Sequence, residues 1–308
     1  LLVKGADFFV EGASSVAKML KVPSLIIGMT IVAMGTSLPE TSVSIAASMN
    51  NQNTLAVSNV VGSNIFNLMV VLGICAVISK LQVSRDVLKR DYPFSVLCAI
   101  LLLVCGCIGM ELGRIDGIVF LVIFVGFIVV LIKSAMDARK RGEISEKERE
   151  MNEEMSEMKE QPVWKSIIYI VGGAIAIKYG GDWVVDSAST IATSFGISAT
   201  LVGLTICSVG TSLPELVTSI VAARKNELDM AVGNVVGSNV FNILMVLGVA
   251  ATISPITFLM ENVIDIIVLL VFSLITWVFC ITKKEIGKKE GIIMLVLYAI
   301  YLVYICLR

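Results

Sequence analysis

Two copies of Gly-Thr-Ser-Leu-Pro-Glu, at 35–40 and 210–215, set a carboxylate beside two hydroxyls and a proline inside otherwise apolar stretches. Pro39 has no N–H and its ring clashes with the preceding turn, so the carbonyl near Gly35 loses its helical partner. Gly35 lets the backbone open there. A carbonyl freed in apolar surroundings needs another partner, and a bare cation is one. Thr36 and Ser37 add hydroxyl oxygens and Glu40 adds negative charge; Thr211, Ser212 and Glu215 repeat the set. A second pair of motifs runs Asn59-Val60-Val61-Gly62-Ser63-Asn64-Ile65-Phe66-Asn67 and Asn234-Val235-Val236-Gly237-Ser238-Asn239-Val240-Phe241-Asn242. Ser63 and Asn67 share a helix face at a spacing of four, as do Ser238 and Asn242. Asn64 and Asn239 point elsewhere and are expected to hydrogen-bond opened backbone on the neighbouring motif helix, while Gly62 and Gly237 permit close helix approach. All these donors are hard oxygens: calcium takes about 6–8 of them, sodium tolerates the same set, and magnesium sheds its water too reluctantly to suit a dry cage.

Such a cage needs elements that hold it away from water. The chain has 308 residues, 56% hydrophobic and 16% charged, which is too apolar for an ordinary soluble domain. Ten apolar segments, about 1–17, 23–49, 55–78, 92–112, 115–136, 163–190, 197–223, 229–253, 261–281 and 289–307, are each read as a membrane-spanning helix. The stretch 137–162 is dense in Glu, Lys and Arg and is read as a solvated linker. Lys and Arg concentrate after the odd-numbered segments: Lys18 and Lys21; Lys80, Arg85, Lys89 and Arg90; the 137–162 cluster; Arg224 and Lys225; Lys283, Lys284, Lys288 and Lys289. Arg114 is the exception. Positive loops stay cytoplasmic, so the linker is expected in the cytoplasm and both termini outside a cell membrane crossed many times. The chain opens on Leu1 with no Met and no signal-peptide n-region, so a first helix truncated at its start is expected.

The halves align without a gap at a shift of 175 residues, and 26 of the 46 positions from 28 to 73 are identical to 203–248. A match that dense exceeds shared hydrophobicity. The expected fold is therefore an all-α membrane protein of ten transmembrane helices, arranged as two inverted five-helix repeats with discontinuous motif helices. The repeats take 1–136 and 163–308. An odd helix number turns the second copy upside down, which is the architecture of secondary transporters with a site at the repeat interface.

Other readings are weaker. Glu40 lies about 16 residues into its span, where an unpaired carboxylate costs at least a few kcal/mol, so intramembrane charge is functional by default. Asp7, Glu11, Asp182 and Asp186 on the first and sixth segments have Lys4 and Lys178 within a turn and are read as structural or gating. The seven cysteines form no CxxC pair and read as packing. There is no histidine, which removes the commonest transition-metal ligand. A net charge of −1 implies no nucleic-acid partner. Ser37 and Ser212 have no His or Lys base nearby, which argues against an intramembrane hydrolase, and no enzyme activity is expected.

The paired Gly-Thr-Ser-Leu-Pro-Glu and Gly-Ser-Asn motifs resemble the alpha repeats of the calcium/cation antiporter superfamily, most closely its prokaryotic sodium/calcium exchanger branch, over essentially the whole chain. The resemblance implies ten helices, with helices 2, 3, 7 and 8 around four ion sites and helices 1 and 6 sliding as a unit for alternating access. Carried over by position, Glu40 and Glu215 bind calcium, with backbone carbonyls of Thr36 and Thr211. An outer sodium site uses Ser37, Ser238 and carbonyls at Ala33, Thr36 or Ser208. An inner one uses Ser63, Ser212 and Glu215, and Asn67 and Asn242 complete the middle site. Relatives often carry Asp where this chain has Asn242, and in potassium-dependent exchangers that Asp is tied to potassium use. Ser208 also stands where the first repeat has Ala33. The transported ions implied are calcium and sodium, with no cofactor and no obligatory protein partner. Electrogenic sodium/calcium antiport leads, proton/calcium antiport is the alternative, and a cation channel is the reading from another class.

Overall fold

Pro39 does what its chemistry requires. In the computed structural model, which describes residues 1–50, 54–141, 162–195 and 208–307, the chain forms α1 (Leu2–Leu20), then α2 (Ser24–Thr36) and α3 (Leu38–Met49), which meet at an angle of 47°. Ser37 sits at the break with φ −83° and ψ 13°, and Pro39 occupies the first turn of α3, where a missing N–H costs no helical bond. The continuous helices α4 (Thr54–Ile78), α5 (Val87–Cys107), α6 (Arg114–Lys140) and α7 (Val163–Ser194) follow. The second broken motif gives α8 (Ser208–Thr211) and α9 (Leu213–Arg224), with Ser212 at φ −93° and ψ 5°. Then come α10 (Leu228–Ile253), α11 (Met260–Thr282) and α12 (Lys288–Leu307).

Seven of the described helices are long and apolar enough to cross a membrane, and the bent pair α2–α3 makes an eighth. Of the ten expected spans, α1 carries Lys4, Asp7, Glu11 and Lys18 in nineteen residues and is not among them. The start of the expected 197–223 span lies outside the described residues. Segment boundaries also move. The segment expected at 92–112 is a helix from Val87 to Cys107, ended where Gly109 and Met110 take φ 75° and 53°. Helix α6 runs past 136 into the charged stretch, and 142–161 lies outside the described residues.

The motif helices α4 and α10 are almost wholly buried and form the centre. Gly237 sets α10 against α2, where a Cβ would meet Met29 Cα at 2.6 Å and Ala33 Cβ at 2.9 Å. Outside them, α12 packs on α4 through Gly73 and Gly291, and α6 packs on α10 through Gly117 and Gly248. Helices α1 and α7 run antiparallel: Gly5 lies against Ala176 and Ile177, and Gly12 against Ser166 and Tyr169. The outer faces are apolar and exposed, as at Val122, Val125 and Val129 of α6 and Val296, Ile300 and Val303 of α12. Hydrocarbon is the solvent that suits such faces.

Two short ribbons close the ends, neither of which the apolar pattern announces. Strand β1 (Leu81–Gln82) pairs antiparallel with β4 (Glu285–Ile286), and β2 (Glu111–Leu112) pairs with β3 (Ile256–Thr257). Each ribbon joins one half to the other. Exchanging the halves converts one ribbon into its counterpart, since β1 and β3 are 175 residues apart and β2 and β4 are 174 apart.

Candidate intramembrane cation site

Both helix breaks deliver a glutamate to the first turn of the following half-helix, Glu40 on α3 and Glu215 on α9. The amide end of a helix favours negative charge, which partly offsets the cost of burial. Neither side chain reaches solvent. Ser212 Oγ donates to Glu40 Oε1 at 3.2 Å and Ser63 Oγ donates to the same oxygen at 3.3 Å. Ser37 Oγ donates to Glu215 Oε1 at 2.8 Å. Each glutamate thus takes a hydroxyl from the broken motif of the opposite half.

What the site lacks matters as much. Among the described residues, the buried side-chain oxygens with no hydrogen-bond partner include Glu40 Oε2, Glu215 Oε2, Asn67 Oδ1, Asn242 Oδ1 and Ser238 Oγ. These come from α3, α4, α9 and α10, the four elements that carry the motifs. A buried unsatisfied acceptor costs about 1–3 kcal/mol, more when charged. Among the described residues no cationic side chain is a hydrogen-bond partner of either glutamate, and a cluster of hard oxygen acceptors has the chemistry that suits a hard cation.

The other expected residues take places around this cluster. Asn67 and Asn242 each open a π-helical turn, Asn67–Val71 and Asn242–Val246. A widened turn of this kind recurs at functional sites. The Thr36 hydroxyl lies 3.1 Å from Asn234 Oδ1, and the Thr211 hydroxyl lies 3.3 Å from Asn59 Oδ1. Ala33 is buried, but its carbonyl already accepts the Ser37 N–H at 3.1 Å. Ser208 opens α8, and its side chain lies outside the described residues. Ser63 and Ser212, expected beside Glu215 at an inner sodium site, both donate their hydroxyls to Glu40.

Asn64 and Asn239 differ from expectation. Among the described residues they bond each other's backbone on α4 and α10 rather than backbone on α2 or α8. Asn64 Nδ2 donates to the Asn239 carbonyl at 3.1 Å, and Asn239 Nδ2 donates to the Asn64 carbonyl at 3.3 Å, so α4 and α10 clasp each other. Sequence spacing gives the helix face but not the helix opposite it. Four residues gain a role that their motifs did not suggest. Asn234 Nδ2 donates to Ser219 Oγ at 2.9 Å, and Asn59 Nδ2 donates to Ser44 Oγ at 3.4 Å, which orients the asparagines toward Thr36 and Thr211. The signal was present, because Ser44 and Ser219 are identical across the 175-residue shift.

Broken helices facing each other across a buried oxygen cluster, with apolar faces outside, define a multi-pass membrane protein of the ion-transporter class. The chain matches the family described as sodium/calcium exchanger protein over residues 1–133 and 165–307, and it belongs to that family. It is 38% identical to the inner membrane protein YrbG of Escherichia coli strain K12, over 90% of this chain and 86% of that one. It is 33% identical to the sodium/calcium exchanger MaX1 of Methanosarcina acetivorans, over 98% and 94%. The solved structure of the sodium-calcium exchanger NCX_Mj, soaked with sodium and calcium, superposes with a TM-score of 0.83 at 32% identity, covering 98% of this chain and 94% of that one.

Proposed function

We propose that this protein exchanges sodium for calcium across the membrane by alternating access, electrogenically and without potassium. One observation carries the reading: Glu40 Oε2, Glu215 Oε2, Asn67 Oδ1, Asn242 Oδ1 and Ser238 Oγ are buried without partners on four motif elements. Calcium offsets the charge of two carboxylates and supplies the missing partner to each oxygen. Carbonyls of Thr36 and Thr211 complete the calcium site, and sodium competes for overlapping oxygens, using the hydroxyls of Ser37, Ser63, Ser212 and Ser238 and carbonyls at Ala33, Thr36 or Ser208. Asn242 leaves Glu40 and Glu215 as the two carboxylates of the set, which favours potassium independence. Any stoichiometry above two sodium ions per calcium then moves net charge.

The ten-span reading, with inverted units 1–136 and 163–308 joined by the linker 137–162, draws support from the exchanged ribbons and clasp. The alternation of Lys and Arg supports extracellular termini and a cytoplasmic linker. The relatives named as sodium/calcium exchangers point to the same ions. Calcium uptake into proteoliposomes under imposed sodium, potassium and proton gradients tests the reading. Uptake is expected with the sodium gradient alone, and faster when the membrane potential favours it. Uptake driven by a pH gradient without sodium would replace it with proton/calcium exchange.

A further inference from the structure

An amide side chain has an oxygen end and a nitrogen end, and at a cation site only the oxygen is useful. A cation repels the NH2 group, so each buried asparagine must be held the right way round. The amide polarity of Asn67 and Asn242 is settled by a chain of hydrogen bonds that starts from the backbone. The Asn239 carbonyl can only accept. The Asn64 atom facing it at 3.1 Å is therefore Nδ2, and Asn64 Oδ1 is turned the other way. That oxygen in turn can only accept, so Asn242 meets it with Nδ2, at 3.1 Å. The Asn242 Oδ1 is left pointing away from the clasp, buried and without a protein partner.

The opposite half repeats the sequence of constraints. The Asn64 carbonyl receives Asn239 Nδ2 at 3.3 Å, Asn239 Oδ1 receives Asn67 Nδ2 at 3.3 Å, and Asn67 Oδ1 is left unpartnered. All four asparagines are buried, so water offers no easy alternative to these bonds. Flipping Asn242 would set its oxygen against Asn64 Oδ1 and its NH2 toward the cation cluster.

We infer that Asn64 and Asn239 are positioning residues that hold the amide oxygens of Asn242 and Asn67 toward the transported cation. The inference rests on the exchange reading for the identity of that cation. It also separates two things the clasp does: joining α4 to α10, and fixing amide polarity.

A double-substitution cycle distinguishes them. Asp has an oxygen at both ends, so an Asn242→Asp site needs no orientation. Calcium affinity is read by equilibrium titration of the purified full chain, and again as the apparent KM of sodium-driven uptake. Asn64→Leu is expected to weaken calcium binding about tenfold in the wild-type background, the scale of a lost buried hydrogen bond to a polar partner. In the Asn242→Asp background the same substitution is expected to cost less than about twofold. The cycle of Asn239→Leu with Asn67→Asp gives a second, independent test if the first variant does not fold. Equal losses in both backgrounds would make the clasp merely structural and overturn the inference, as would no loss in either or failure of both leucine variants to fold. A wild-type chain that binds no calcium would instead fail the exchange reading, and the inference with it.

Discussion

The two halves agree closely at the centre and differ at the periphery. Ser37 reaches Glu215 and Ser212 reaches Glu40; Thr36 faces Asn234 and Thr211 faces Asn59; Asn64 and Asn239 exchange bonds. Every one of these contacts has a counterpart when the halves are swapped. Farther out the likeness ends. Lys225, at the end of α9, reaches back to α1, pairing with Asp7 at 2.6 Å and Glu11 at 4.0 Å, while Ser14 donates to Glu227 at 2.6 Å. The position equivalent to Lys225 in the first half is Asn50, which carries no charge; the on-helix pair is common to both halves, Lys4 with Asp7 on α1 and Lys178 with Asp182 on α7. Paired identity is therefore densest where both halves act on the shared cluster, while Lys225 and Glu227 tie the second half to α1 through residues that the first half does not repeat.

That contrast can be broken at its strongest point first. Glu40→Gln and Glu215→Gln should each abolish sodium-driven calcium uptake, to less than about one hundredth of wild type, because either leaves a divalent ion with one carboxylate. Uptake surviving in one variant would mean that the halves are unequal. Gly237→Ala comes next. The added methyl must displace Met29 backbone, so thermal unfolding in detergent should show a loss of about 1–3 kcal/mol. Ser37→Ala and Ser212→Ala should each weaken calcium binding about tenfold and by similar factors, since each removes one hydroxyl bond to a carboxylate. Unequal losses beyond about threefold would sharpen the comparison toward a division of labour. The smallest effect is expected at Lys225→Gln. That pair is about one-third exposed on both sides, so its contribution is about 0–1 kcal/mol and should shrink further at high salt.

Much of the site was legible because its signals are local. Proline in an apolar run, a glutamate one residue later and asparagines at helical spacing can all be read along one segment. A helix break before Pro39 and the buried glutamates followed from them, although the break falls at Ser37 and Gly35, where the opening is expected, stays helical. What resisted was the identity of the element opposite. Asn64 was expected to meet opened backbone on a neighbouring motif helix and instead meets the same position in the other half. Ser212, which the family resemblance places with Ser63 and Glu215, donates in the structure to Glu40 across the interface. The Asn64 difference has a physical cause: periodicity fixes a face, whereas only tertiary packing selects its partner. The ribbons at Leu81–Gln82 and Glu285–Ile286 were hidden for a similar reason, since two-residue strands have no period to detect.

The central claim is that one cation site is assembled jointly, with a glutamate from each half. Equilibrium titration of calcium into the purified chain, alongside Glu40→Gln and Glu215→Gln, tests it most directly. The account predicts a single high-affinity calcium per chain, lost in both variants. Two calcium ions per chain, with each substitution removing one and sparing the other, would show that each half holds its own ion and would contradict it.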